Sequence, residues 1–327
     1  MSKRAIFSVT VAGSNITTTL MPVLISLSVS DKAGTHSDTA NIKVDDTNGQ
    51  IVFPQKGAPM IIALGWADGG VRVVFTGTVD EVKSSGSRGS GRVMTISAKG
   101  MDTTGKPKEH QHRHWDDAKL PQILGDAGKH AGVTSVQVDP ALAGKARKYF
   151  EMRDESFVAM GERLAREVGG NFRIVDSTAY LTRRNGIYAG VTRAVWGDNL
   201  HSWDISPQLG RPQFSSVVAR YYDMAKAQTM ETGSSTSLEA DARHATRHFK
   251  PDPNEAGQQN GADTATSESE AGGGSVTIEG NTAAVPDGVC IVAGCRPGVD
   301  GAYRIEGVTH TYRRSGFTSS LELKFPQ

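Results

Sequence analysis

Two stretches far apart in this chain read as versions of one another. The first runs from Lys56 to Gly100 and the second from Asp287 to Phe325. Each has an apolar strand ending in glycine (Gly65, Gly294), a glycine-marked turn, and a strand leading to a glycine and a valine (Gly77 and Val79; Gly307 and Val308). A polar turn containing glycine and a last alternating strand follow in both. A small β unit used twice limits the folds open to the chain, and its lack of any catalytic motif points towards architecture rather than chemistry.

The strand pattern is broadest in the first hundred residues. Apolar side chains alternate at Ile6, Val9 and Val11; at Val23, Ile25, Leu27 and Val29; at Ile42 and Val44; at Ile61, Ala63 and Leu64; at Val71, Val73 and Phe75; and at Val93 and Ile96. Period two with turns rich in Gly, Ser and Asn predicts a compact barrel or sandwich. The 37 glycines suit short strands and tight turns. With 327 residues the chain can hold two or three domains, each with its own core.

The pattern changes after Gly100. The segment from Ala118 to Gly132 predicts a helix with Pro121 in its first turn, Asp116 or Asp117 as cap and Gly132 at its end. A strand over Thr134 to Val138 follows. The helix over Glu155 to Gly170 carries Phe157, Met160, Leu164 and Val168 on one stripe, with Asp154 as the expected cap and Glu155 in the first turn. A hairpin from Asn171 to Arg184, turning at Asp176 to Thr178, comes next. Strands resume at Leu200 and continue through Phe214 to Ala225. From Lys226 to Gly274 large apolar residues are scarce, which predicts a mobile or extended excursion with one short helix around Leu238 to Phe249.

Charge excludes a global nucleic-acid field, since 36 Lys and Arg face 35 Asp and Glu. The N-terminus lacks a signal-peptide core and no window has the ~18 apolar residues of a membrane span, so no membrane insertion and no secretion by the usual route are expected. Cys290 and Cys295 form neither a disulfide framework nor a zinc spacing, and reduced thiols are expected.

Candidate chemistry is thin. Gly100 to Pro107 has a phosphate-loop spacing but places Pro107 where Ser or Thr should bind magnesium, so it reads as a boundary turn. His110, His112 and His114 would share one face of an extended segment, yet no further ligand completes a metal site. Neither cysteine has a nearby histidine and no nucleophile elbow exists. The cationic clusters around Arg113, Arg183 and Arg313 lie at turns and are balanced by acids, which favours solvated turns or protein contacts over sequence-specific nucleic acid. No catalytic, cofactor-binding or metal-ligating residue is assigned, and no cofactor is expected.

The C-terminal run from Gly288 to Phe325 resembles the end of the phage late control protein D family, the baseplate hub proteins of contractile tails. The resemblance rests on the turn from Val299 to Tyr303, on Val308, His310 and Tyr312, and on the last strand from Thr318 to Leu323. The middle segment from Glu155 to Arg184 also resembles that family. It implies a mixed, mainly β fold with two tube-protein-like β-barrels and an inserted small α/β domain. On that basis the chain divides into a first barrel over 1–100, an α/β insertion over 101–190, a second, discontinuous barrel over 191–225 and 275–327, and the polar excursion over 226–274.

The same resemblance implies a homotrimer whose six barrels stack on a six-fold tail tube protein and dock a three-fold spike, and it relates the chain to the hub part of type VI secretion spike proteins. No needle, lysozyme or LysM-like segment follows Phe325, so a separate spike protein is expected, with tape-measure and other baseplate proteins as further partners. The expected place is the baseplate of a virion tail assembled in the host cytoplasm, and no enzyme activity is expected. Two other readings are a tail-associated cell-wall hydrolase and a receptor- or glycan-binding β module.

Overall fold

The computed structural model describes residues 3–34, 38–89, 91–100, 106–175, 177–184, 190–207, 210 and 213–326. The first β unit holds β1 (Ala5–Val11), β2 (Ser14–Asn15), α1 (Thr17–Leu20), β3 (Leu24–Lys32), β4 (Thr39–Asp45), β5 (Pro59–Trp66), β6 (Gly70–Ser87) and β7 (Gly91–Lys99). Its strands pair in the order β3-β4-β7-β6-β5-β1. Val9 at one end of that run and Leu27 at the other lie in one buried cluster with Ile42, Met60, Phe75 and Ile96, so the sheet curls around a single core. The alternation was right in period but not always in phase. On β5 the buried residues are Met60, Ile62, Ala63, Leu64 and Gly65, while Ile61 is 42% exposed.

The insertion contains β8 (His110–Lys119), α2 (Leu120–His130), β9 (Ser135–Val138), α3 (Pro140–Ala143), β10 (Ala146–Ser156), α4 (Phe157–Val168), β11 (Gly170–Val175) and β12 (Thr178–Arg183). The stripe of Phe157, Met160, Leu164 and Val168 is buried, and α4 stops at Gly169 with φ of +71°. Its cap is Ser156, whose hydroxyl accepts from the Ala159 N–H at 3.2 Å, and not Asp154. Asp154 stands two residues earlier, inside the irregularity of the β8–β10 ribbon between Met152 and Glu155, and Glu155 pairs with Arg163 at 2.8 Å. Neither Asp116 nor Asp117 caps α2, because β8 continues to Lys119 and pairs Asp116 with Tyr149 and Ala118 with Arg147. Pro121 and Gly132 occupy their expected places. Of the hairpin turn, Asp176 lies outside the described residues.

After β13 (Val191–Val195) and β14 (Leu200–Ser206), the chain leaves the large sheet for β15 (Ser216–Asp223), β16 (Gln228–Ser235), β17 (Arg243–Ala245) and α5 (Pro253–Ser269). The expected boundaries fail here. Strand β15 belongs to a separate sheet, β16-β15-β17, with α5 packed across it, and not to the second β unit. The excursion is ordered, and its helix lies at 253–269 rather than around Leu238 to Phe249. It has no large apolar stripe because small and polar residues, Ala256, Asn260, Ala262 and Ser269, form its buried side. Asp252 caps it by accepting from the Glu255 N–H at 2.8 Å, with Pro253 in the first turn.

The second unit resumes with β18 (Gly273–Glu279), β19 (Val289–Ala293), β20 (Gly301–Arg313) and β21 (Gly316–Lys324). Its pairings give the order β14-β18-β21-β20-β19-β13. This is the order of the first unit with β14 in place of β3, β18 of β4, β21 of β7, β20 of β6, β19 of β5 and β13 of β1. The strands also follow one another along the chain in the same sequence. One pairing differs, since β13 and β19 are parallel whereas β1 and β5 are antiparallel. Ala194, Val276, Val292, Ile305 and Leu321 form the second core.

The duplication extends to irregularities. Both β6 and β20 carry one extra residue against their partner, Asp80 and Glu306. Both β3 and β14 carry one after a leucine, at Ile25 and His201. Gly57 and Asp287 each adopt a positive φ and each donate a main-chain N–H to β6 or β20, at the carbonyls of Val79 and Ile305. The registers align Gly77 with Tyr303, and Gly307 with Glu81, so the glycine and valine pairs read from sequence are not structural counterparts.

Candidate functional site

What the fold presents is surface and seams. Strand β20 is longer than either neighbour on one of its edges. Its first part, Gly301 to Arg304, pairs with β19, and its second, Gly307 to Arg313, pairs with β3 of the first unit. The two units thereby share one continuous sheet.

The motif residues lie on this seam or behind it. Tyr312 stands opposite Leu27 and packs on Phe7 with ring centroids 4.8 Å apart. His310 is buried, pairs through Nδ1 with Ser319 Oγ at 2.8 Å, and is held by burial at about 4, well below the usual imidazole value. In the turn before β20, the Asp300 carboxylate accepts main-chain N–H groups of Cys295 at 2.8 Å and of Gly294 and Arg296 at 3.2 and 3.3 Å. The Tyr303 hydroxyl donates to the Val299 carbonyl at 2.6 Å, which closes the same turn.

Charged residues fasten the other parts. At the two bulges the same ion pair appears, Asp80 with Lys99 at 2.5 Å and Glu306 with Lys324 at 3.3 Å. Glu306 also meets Arg304, whose head reaches Asp287 at 3.5 Å, and Asn171 of the insertion donates to Asp287 at 2.6 Å. Nearby on β3, burial and then the neighbouring Asp38 push the Asp31 carboxyl up to about 8, and burial raises Asp38 as well. Arg147 of β10 is 2% exposed and lies 3.5 Å from Glu167 and 3.6 Å from Glu255, while its Nη1 donates to Gln258 at 2.9 Å. Lys250 completes that cluster against Glu167 at 3.0 Å. Sequence reading missed it because the partners come from three separated elements, although the Asp252, Pro253, Glu255 signature of a helix start was present.

The residues weighed for chemistry do not converge. His110, His112 and His114 lie exposed on one face of β8, as their spacing predicts, and His112 approaches only Glu151 and Asp154 at 3.9 and 4.0 Å. Among the described residues no group of three His, Cys, Asp or Glu is placed to hold a metal. Most of the phosphate-loop spacing, residues 101–105, lies outside the described residues. Cys290 is buried in the second core with its thiol pushed up to about 12, and Cys295 is free and half-buried. Arg183 pairs with Asp139 at 3.2 Å and Arg184 donates to Thr266 at 2.8 Å, so both serve internal contacts. No described helix is long and apolar enough to cross a membrane.

Apolar side chains are left outside at matching places. Ile61 on β5 and its counterpart Ile291 on β19 are both exposed; exposed Val73 and Val71 follow along the sheet opposite Ala63 and Gly65 in the first unit, and Val289 with Val191 opposite it lies two residues before Ile291 in the second. Repeated apolar patches of this kind mark contact surfaces.

A mainly β chain made of two like six-stranded units, a small α/β insertion and a fused central sheet has the fold of phage tail and injection-machine hub proteins. A 43 kDa tail protein of a Shewanella oneidensis prophage matches it with a TM-score of 0.74 at 16% identity, over 99% of both chains. An E. coli component of the type VI secretion system, itself described as structurally similar to phage T4 tail proteins, matches with a TM-score of 0.60 at 12% identity, over 99% of this chain and 77% of that one. In sequence, the chain is 24% identical to a probable baseplate hub protein of Escherichia phage 186, over 97% of this chain and 92% of the relative. The resemblance to baseplate hub proteins therefore spans nearly the whole length of the chain. No protein-family model matches it.

Proposed function

We propose that this chain is the baseplate hub of a phage tail or a related injection device. It assembles as a homotrimer whose six β units form a pseudo-six-fold ring, one face receiving the tail tube and the other a separate central spike. The observation that supports this most is the internal duplication, down to the paired bulges at Asp80 and Glu306. Three copies of a doubled unit offer six near-equivalent surfaces and remain three-fold overall, which is what a joint between a six-fold and a three-fold object needs. The exposed Ile61 and Ile291 patches are the repeated surfaces suited to stacking. Tape-measure and other baseplate proteins are the further neighbours, the assembled location is the virion tail, and assembly takes place in the host cytoplasm. The role is structural, with no chemical step.

Native mass spectrometry of the protein alone and with candidate spike and tube proteins tests this. The expected species is a trimer, formed alone or on adding the spike. A strict monomer recruited by neither partner would overturn the reading, as would peptidoglycan clearing that is lost in Glu155→Gln.

A further inference from the structure

Strand β6, with 18 residues against 13 in β20, has the same long outer half without its full complement of partners. On one edge β6 pairs with β7 over Thr78 to Ser87, and on the other β5 covers only Gly70 to Thr78. Past Thr78, no strand among the described residues pairs with that second edge. In β20 the matching segment is the one that β3 covers. The registers align Val82 with Val308, Lys83 with Thr309, Ser84 with His310, Ser85 with Thr311 and Gly86 with Tyr312. Val308 and His310 are 1% and 5% exposed, whereas Lys83 to Gly86 all stand in solvent.

Strand β14 shows the converse. It is the counterpart of β3, down to the extra residue after the leucine, and among the described residues it pairs as a strand with β18 on one edge only. Leu27 and Val29 of β3 are fully buried under their seam, while their counterparts Trp203 and Ile205 are only half-buried. Each chain thus has one internal seam, β3 on β20, and carries both halves of a second seam at separate places.

We propose that β14 of one copy pairs antiparallel with the outer half of β6 in the next copy, repeating between chains the seam that β3 and β20 make within one. This rests on the self-assembly proposed above and names the contact that propagates it. Carrying the internal register across places Trp203 opposite Gly86, Asp204 opposite Ser85, Ile205 opposite Ser84 and Ser206 opposite Lys83. The pairing is complementary in size, because Gly86 leaves room for the indole of Trp203, as Tyr312 meets the smaller Leu27 inside the chain. It is complementary in charge, since Asp204 sits diagonal to Lys83 on one face. Pro207 ends β14 and has no N–H with which to extend the ladder. A contact between two different edges is head-to-tail, and such contacts close into rings when the rotation permits. It also covers two edges that would otherwise invite uncontrolled pairing.

Cysteine pairing tests the register in the full chain. The internal counterparts of Ser206 and Lys83 are Ser30 and Thr309, whose hydroxyl oxygens lie 3.2 Å apart, so directly opposed side chains here are within reach of a disulfide. In a Cys295→Ser background, Ser206→Cys protein mixed with Lys83→Cys protein is expected to give a covalent dimer on oxidation. Ser206→Cys mixed with Ser84→Cys, shifted by one residue onto the opposite face, is expected to give none. Both in-register substitutions in one chain are expected to give a ladder ending at the ring size. An assembled trimer in which the in-register pair fails to link, or links no better than the shifted pair, overturns the edge pairing and leaves the hub reading standing. A monomer that neither spike nor tube recruits overturns both.

Discussion

Gly161 on α4 lies so close beneath the ring of Phe172 on β11 that a β-carbon at position 161 would stand 2.4 Å from a ring carbon. Alanine is the better helix former by about 1 kcal/mol, but overpacking a core costs about 1–3 kcal/mol. The Phe172 ring is itself held edge-on by Phe157 at 5.4 Å and has little room to yield. Gly161→Ala is therefore expected to lower the urea midpoint, and Phe172→Leu in the same chain to recover part of the loss.

Arg147 is the clamp between β10 and α5. Removing it leaves Glu255, which is 5% exposed and already raised by burial, without its guanidinium. Breaking a buried pair from one side costs about 3–5 kcal/mol. Arg147→Ala is expected to lose about that much and to raise hydrogen exchange throughout α5. Equal exchange in α5 and in β4 of the first unit, which Arg147 does not touch, would show that the clamp is not local.

Asp31 makes the seam sensitive to pH. Its carboxyl has a folded value of about 8 against an ordinary value of 3.8. Below the ordinary value both folded and unfolded chains hold the proton, and the contribution to stability is complete. As pH rises from there the unfolded chain loses the proton first, so stability falls progressively and the loss is complete above about 8. Asp31→Asn is expected to flatten this slope, read as chemical-denaturation midpoints between the two values. An unchanged slope would remove Asp31 from the account.

The two bulge ion pairs are alike in geometry and unlike in consequence. Asp80 meets Lys99 where both side chains are partly exposed, so Asp80→Asn is expected to be nearly silent. Glu306 also holds Arg304, whose side chain is 6% exposed and whose Nε has no partner. Glu306→Gln is expected to cost about 1.5–3 kcal/mol, the scale of a hydrogen bond to a charged group. Paired thermal melts of the two variants decide the matter, and equal shifts would contradict it.

Local pattern made much of this fold legible. The α4 stripe, its glycine stop and the alternating strands each report their own surroundings, which is why they could be read without partners. The repeat was legible as a sequence of strands, yet its true correspondence rests on bulges at Asp80 and Glu306, and no residue type announces a bulge. Helix α5 was missed because Ala256, Ala262 and Asn260 bury a small, polar face that looks like solvent-facing chain. The separate sheet of β15 was missed for another reason: Val217, Val218 and Ala219 say that a strand is buried but not against which neighbour. The unpaired half of β6 is legible only by comparison with β20, since nothing in its own sequence shows the missing partner.

The seam between β3 and β20 also sets a schedule. Lys32 pairs with Gly307, 275 residues later in the chain. At about 5–20 residues per second of synthesis, the N-terminal half waits for roughly a quarter of a minute to a minute before its permanent neighbour exists. During that interval the outer edge of β3 is open to any β20 emerging nearby, including one from an adjacent ribosome on the same message. Exchange of that strand between nascent chains would yield a swapped dimer with every internal contact satisfied, so the rate of translation and the crowding of ribosomes become determinants of how much correctly closed protein is made.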